Sequence, residues 1–195
     1  VLKSHDRFGH RIDSVDFHPS YHMLMELAFG SGVHSLSWTA NRRGAHTARA
    51  TLSYLWNQIE NGIGCPTGMA YSSIPSLRLV PAIQRDWEHK ILAEGYDPRP
   101  IPVTEKSAAT IGMALTEKQG GSDLRANSTL AVAVNGGGPG EEYRLTGHKW
   151  FCSAPMSDAF LTLAQTDNGP SCFFVPRSLA DGTRNRFFIQ RLKDK

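Results

Sequence analysis

The apolar residues of this chain change their spacing near its middle, and that change limits the possible folds more than any other feature. Up to about Pro100 they recur every three or four residues, and after Lys106 they alternate. The first period belongs to helices with one buried face, the second to strands. A chain that keeps the two periods in separate halves is expected to be α+β, with helices first and an antiparallel β-domain second.

Within the first half, YHMLMELAF places Tyr21, Leu24, Met25, Ala28 and Phe29 on one face, and Pro19 suits a first helical turn. The run AHTARATLSYLWNQIENG puts Ala48, Leu52, Leu55, Trp56 and Ile59 on one side, with Gly62 as its stop. Pro75 interrupts MAYSSIPSLRLV and predicts a kink or break there. A fourth run, AIQRDWEHKILAEGY, offers Ile83, Trp87, Ile91 and Leu92 and closes at Gly95. The three prolines of YDPRPIPVT then read as an extended connector. The expected division is a helical domain over 1–105 and a β-domain over 106–195. Five strand candidates follow: STLAVAV, EEYRLTGHKWF, AFLTLAQT, SCFFVPR and NRFFIQRL. NGGGPGE joins the first two as a hairpin loop. With no GK[ST] and no helix after it, it is not read as a phosphate loop.

Composition narrows the function classes. The 195 residues are 40% hydrophobic and 20% charged, which excludes a disordered tail or a collagen-like repeat. No run approaches the ~20 apolar residues of a membrane span. The formal charge of +3 does not by itself point to nucleic acid. Cys65, Cys152 and Cys172 form no CxxC pair, so zinc is disfavoured. They are expected to be buried, reduced thiols in a cytoplasmic, reducing compartment. The opening VLKSHDRFGHRID resembles neither a signal peptide nor a transit peptide. A chain that starts at Val1 and stops at RLKDK, directly after a strand-like run, is expected to be a piece of a longer protein.

Two segments carry chemistry. In IGMALTEKQGGSDLRANS, Gly120 and Gly121 allow close backbone approach to a ligand, and Thr116 and Ser122 add hydroxyls. That set suits the polar edge of a heterocycle or a diphosphate, although the same residues also make an ordinary turn. In GHKWFCSAP, alternation puts Phe151 and Ser153 on one face. The pair could wall a flat ring and hydrogen-bond its edge, or simply end a strand in a core. His148 is read as structural, because an acid–base role needs a partner. His18 and His22 are spaced like metal ligands but lack a third one, so they are read as surface histidines.

TEKQGGSD, then GHKWFCS, LAQT and SCFFVPR, resemble the acyl-CoA dehydrogenase flavoprotein superfamily. Its usual patterns are T-E-x-x-x-G-S-D and G-x-K-x-W-I-T-N. Thr116, Glu117, Gly121, Ser122 and Asp123 match the first, and Gly147, Lys149, Phe151, Cys152 and Ser153 take the places of the second. FHPSYHMLM, HSLSW, CPTGMAYSS and RLKDK extend the resemblance through the chain, to the adaptive-response AidB branch. The resemblance implies an N-terminal helical domain, a middle β-domain and a C-terminal helical domain that this chain lacks.

The resemblance also implies FAD, held by Met113, Leu115, Thr116, Gly120, Gly121, Ser122, Phe151, Cys152 and Ser153. Phe151 would flank the isoalloxazine where most members have Trp, and Ser153 would lie near its N5 and O4. The implied activity is oxidation of the CH–CH bond of an acyl-CoA thioester. The family's base is a Glu of the C-terminal domain, so no catalytic residue is assigned here, and Glu117 is not promoted to that role. The AidB branch implies an alternative, double-stranded DNA binding through a basic C-terminal region, and family members are usually homotetramers. A local cluster sets Arg177, Arg184, Arg186, Arg191, Lys193 and Lys195 against Asp181 and Asp194. It could assist phosphate contacts, but a solvated strand edge guarded by basic residues is the preferred reading.

Overall fold

The computed structural model describes residues 1–193. A β-hairpin opens the chain, with β1 (Leu2–His5) antiparallel to β2 (Arg11–Val15). Four helices follow: α1 (Pro19–Gly30), the single turn α2 (Leu36–Thr39), α3 (Ala45–Asn57) and α4 (Gly64–Leu77). A last helical stretch comes in three pieces, α5 (Pro81–Ile83), a π-helical turn (Gln84–Glu88) and α6 (His89–Ile91). The strands of the second half are β3 (Ile111–Ala114), β4 (Leu130–Ala133), β5 (Tyr143–Thr146), β6 (Ala159–Thr166) and β7 (Gly169–Pro176). No helix among the described residues is long and apolar enough to cross a membrane.

Helix α1 forms as its spacing demands. His18 accepts a hydrogen bond from the Ser20 N–H at 3.2 Å and so caps the first turn around Pro19. Met25, Ala28 and Phe29 are buried, with Tyr21 and Leu24 packed beside them. Helix α3 departs from expectation. Leu52 and Trp56 pack against the core, but Ala48, Leu55 and Ile59 are exposed, and the helix ends at Asn57 well before Gly62.

Pro75 produces no mid-helix break. Helix α4 starts earlier, at Gly64, so Pro75 falls in its last turn. A proline there cannot donate to the carbonyl four residues back, which belongs to Tyr71. The indole N–H of Trp38 donates to that carbonyl instead, at 2.9 Å.

The α+β class holds, and the sheet is mixed within it. β6 is central. It pairs antiparallel with β7 along its whole length. On its other edge it pairs in parallel with β3 and then, at Leu130–Gln165, with β4. The hairpin β4–β5 is antiparallel, as the NGGGPGE loop requires. β3 is parallel because the chain returns to it only after a long excursion. The candidate strand NRFFIQRL is not one. It forms an irregular strap in which Phe187 stacks on Phe160 at 4.4 Å and Ile189 is buried.

One hydrophobic cluster joins the halves. It includes Phe29, Ile74, Leu77, Trp87 and Ile91 from the helices and Ile111 and Leu161 from the sheet. The π-helical turn carries Trp87, which meets Phe174 edge-on at 4.8 Å. A buried ion pair, Lys106 to Asp158 at 2.7 Å, ties the connector to the start of β6, and Asp158 also accepts from the Thr110 N–H at 2.8 Å.

The opening hairpin, which sequence reasoning missed, is latched to the strap. Asp13 is fully buried with φ at 43°. It accepts from Arg11 Nε at 3.1 Å, Arg184 Nη2 at 2.6 Å and the Ile189 N–H at 3.2 Å. Two guanidinium groups therefore compensate one buried carboxylate. The three cysteines are free, but Cys65 and Cys172 are exposed and Cys152 is half-buried, so the expectation of buried thiols fails.

Candidate functional site

The two chemistry-bearing segments lie side by side. β3 delivers Met113, and the chain leaves the sheet through Leu115 and Thr116 into the Gly120–Gly121–Ser122 turn. The second segment runs past it in the opposite direction. The Ser153 N–H donates to the Met113 carbonyl at 3.0 Å, and the Trp150 N–H donates to the Thr116 carbonyl at 2.8 Å. The Thr162 hydroxyl takes the Ala114 carbonyl at 2.5 Å, and Asn127 Nδ2 takes that of Leu115 at 2.9 Å. Every carbonyl from Met113 to Thr116 is thus bonded inside the protein.

Several donors beside them are left over. The Gly121 and Ser122 N–H groups, and the Thr116, Ser122 and Ser153 hydroxyls, are bonded to nothing among the described residues. Gly120, Gly121 and Ser122 are exposed, whereas Met113, Leu115 and Thr116 are half-buried. Gly120 has φ at 139°, beyond the reach of an ordinary side chain. A Cβ on Gly121 would lie 2.8 Å from the Thr116 hydroxyl, so the glycine lets this backbone close over Thr116.

Glu117 is the organising residue, and sequence reasoning gave it no role. Its buried carboxylate accepts from five donors: the N–H and hydroxyl of Ser128, the N–H and hydroxyl of Thr129, and Lys149 Nζ. The Lys149 bond is 2.7 Å, between side chains only 12% and 2% exposed. Burial alone would raise this carboxyl's pKa, but Lys149, Thr129 and Ser128 hold it well below the usual carboxylate range. The Glu of the first motif is therefore locked to the Lys of the second. Gly147 allows the approach, since a Cβ there would lie 2.7 Å from the Thr129 Cα.

The GHKWFCSAP segment differs locally from expectation. β5 stops at Thr146, so Trp150 and Phe151 lie in irregular chain and only Ser153 bridges back to Met113. Phe151 is 48% exposed. Cys152 and Ser153 are half-buried. Burial pushes the Cys152 thiol up to about 12, although Arg177 opposes the shift, so Cys152 is a neutral thiol rather than a nucleophile at pH 7. No hydrogen bond joins Ser122 to Phe151, Cys152 or Ser153 among the described residues. Trp150, Phe151, Cys152 and Ser153 border an open cleft of about 3250 Å³, walled elsewhere by β7, the strap and helix residues such as Tyr21 and Leu77.

The remaining candidates resolve plainly. His148 is exposed. His22 Nδ1 lies 3.0 Å from the Tyr96 hydroxyl, while His18 is a helix cap. The basic cluster is not a guarded strand edge, because the strap is not a strand. Arg177 is bonded to the Ser157 and Pro155 carbonyls, Arg184 to Asp13, and Arg191 and Lys193 lie against Trp150. Asp194 and Lys195 lie outside the described residues.

Both halves of the chain resemble known proteins. Residues 1–98 match the family model of the adaptive response protein AidB N-terminal domain, and residues 112–192 match that of the acyl-CoA dehydrogenase middle domain. The chain is 46% identical over its whole length to the putative acyl-CoA dehydrogenase AidB of Escherichia coli, and covers 36% of that protein. It superposes over its whole length on the apo-form of Bd2924, with TM-score 0.81, 28% identity and 39% of that chain covered. It also superposes on Caenorhabditis elegans ACDH-11 in complex with C11-CoA, with TM-score 0.80, 25% identity and 34% covered. The chain thus spans little more than a third of the relatives it matches. With one half matching the AidB model and the other the middle-domain model, the chain belongs to the AidB branch of the acyl-CoA dehydrogenase superfamily.

Proposed function

We propose that this chain forms part of an FAD site in a flavoprotein that oxidises the CH–CH bond of an acyl-CoA thioester. The observation that carries the reading is the pairing of residues 113–116 with 150–153. It takes the Met113 and Thr116 carbonyls, Thr162 and Asn127 take the two between them, and the Gly121 and Ser122 N–H groups and the nearby hydroxyls are left unbonded among the described residues. A flavin pyrimidine edge and a diphosphate are rich in acceptors, so a donor-lined turn with a half-exposed aromatic beside it suits them.

Met113, Leu115, Thr116, Gly120, Gly121 and Ser122 would hold the polar edge and the diphosphate. Phe151 would wall the ring, and Cys152 and Ser153 would line its reactive side. When bound, FAD supplies the acceptor for a hydride from the thioester's β-carbon. Glu117 serves this reading as a support and not as a base, because its carboxylate is spent on five donors and held ionised. The proposal includes a division of the chain near residue 105, an acyl-CoA-type substrate, a homotetramer and a cytoplasmic location for the whole protein. Similarity to ACDH-11, whose structure holds C11-CoA, supports the substrate class. The alternative of duplex DNA binding gains no support from the basic cluster, since Arg177 and Arg184 are bonded within the chain.

The test is the full-length protein purified without added cofactor. It is expected to be yellow, to release one FAD per chain, and to reduce an artificial electron acceptor when given an acyl-CoA. A colourless protein that takes up no FAD defeats the proposal. Shifting of duplex DNA at low salt without any acyl-CoA turnover would favour the alternative.

A further inference from the structure

The end of the strap lies against the aromatic wall. Lys193 Nζ sits 3.6 Å from the centre of the Trp150 ring and 4.8 Å from that of Phe151. The Arg191 guanidinium lies 6.0 Å from Trp150. These are cation–π distances. Both partners are fixed. Trp150 is tied to the first segment by its N–H bond to the Thr116 carbonyl. The strap is tied down just upstream, where Asp13 accepts from Arg184 and from the Ile189 N–H and where Phe187 stacks on Phe160. The opening hairpin, the strap and the wall therefore form one connected structure that brings a positive charge to Phe151.

We infer that Lys193 sets the charge at the flavin site, making the bound ring a better acceptor of an electron pair. The inference rests on the flavin reading above. A flavin that has taken up an electron pair from an anion carries more negative charge than the oxidised ring. A fixed ammonium near the ring would stabilise that form more than the neutral one. Lys193 acts through space and is a positioning residue rather than a catalytic one.

Sulfite is the probe. Its sulfur lone pair forms a bond to the flavin N5, nothing leaves, and the negative charge of the anion enters the ring. The experiment titrates the full-length protein with sodium sulfite and follows loss of the visible flavin band, with FAD content measured after release. Lys193→Gln is expected to keep its FAD and to raise the sulfite Kd about three-fold or more. Lys193→Arg is expected to stay within about two-fold of the parent.

A Lys193→Gln protein with full FAD and a sulfite Kd within about two-fold of the parent overturns the inference while leaving the flavin reading intact. So does a Lys193→Arg protein as weak as Lys193→Gln. A parent that binds no FAD overturns both, which keeps the two failures distinct. If Lys193→Gln sheds the cofactor, Arg191→Gln carries the same measurement, with a smaller rise expected from its greater distance and no rise counting against the inference.

Discussion

Glu117 shows why a matched motif position need not be a chemical one. Changing Glu117 to Gln leaves Lys149 without its anion at 12% exposure, and the expected loss is about 3–5 kcal/mol in urea denaturation of the chain. Adding Lys149→Met is expected to recover part of that loss, because both charges then leave together. A Glu117→Gln protein within about 1 kcal/mol of the parent would contradict the buried-pair account. His34 supplies a prediction in pH. Fully buried against Phe29 at 4.0 Å, it is held at about 4, first by burial and then by Arg49, against the opposing bond to the Ala93 carbonyl. The folded protein keeps it neutral while the unfolded chain takes up a proton below about 6.5. Its contribution is therefore fully present above about pH 6.5 and is lost as the pH falls towards about 4, by roughly 3 kcal/mol in all. His34→Leu is expected to flatten that limb when urea midpoints at pH 7 and pH 5 are compared. The sequence motifs marked Glu117 and Lys149 as matches. Nothing in their spacing said that residues 32 apart would pair, because the bond is made by the fold of β4 and β5 between them.

Helices were legible where one face is apolar and the other is not, as in α1 and in the stretch carrying Trp87 and Ile91. Reading failed where the local pattern was right but the boundary was wrong. The apolar run with Pro75 starts at Met69, and the five helical residues that precede it put the proline at the end of the helix rather than its middle. The strap alternates like a strand but finds no ladder, since Phe187 is held by stacking and Ile189 by Asp13. The opening hairpin is mostly polar, and its most deeply buried side chain is an aspartate, which no hydrophobic pattern reports. The Trp38–Tyr71 bond gives the test at this scale. Trp38→Phe leaves the Tyr71 carbonyl without its donor and is expected to cost about 1–2 kcal/mol. The same change should cost less in a Pro75→Ala background, where a restored amide can take that carbonyl. Equal costs in a double-mutant cycle would show that the indole is not substituting for the missing amide.

Across the whole molecule, the cluster that runs from Phe29 to Leu161 gives both halves a common interior. Unfolding followed by far-UV circular dichroism and by tryptophan fluorescence is therefore expected to show one coincident transition. Two separated transitions would mean that the halves melt independently. Trp87→Ala is expected to destabilise that single transition by about 3–5 kcal/mol, because the ring is 8% exposed and meets Phe174 across the junction. The Asp13 latch has a consequence in time. Its partner Arg184 lies 171 residues further along the chain. At ~5–20 residues per second, a ribosome needs roughly 10–35 seconds to make that stretch. Through that interval the newborn hairpin carries a carboxylate meant for burial and must keep it in water. The hairpin is thus completed long after it is synthesised, and nascent chains halted before residue 184 should leave residues 1–15 open to protease.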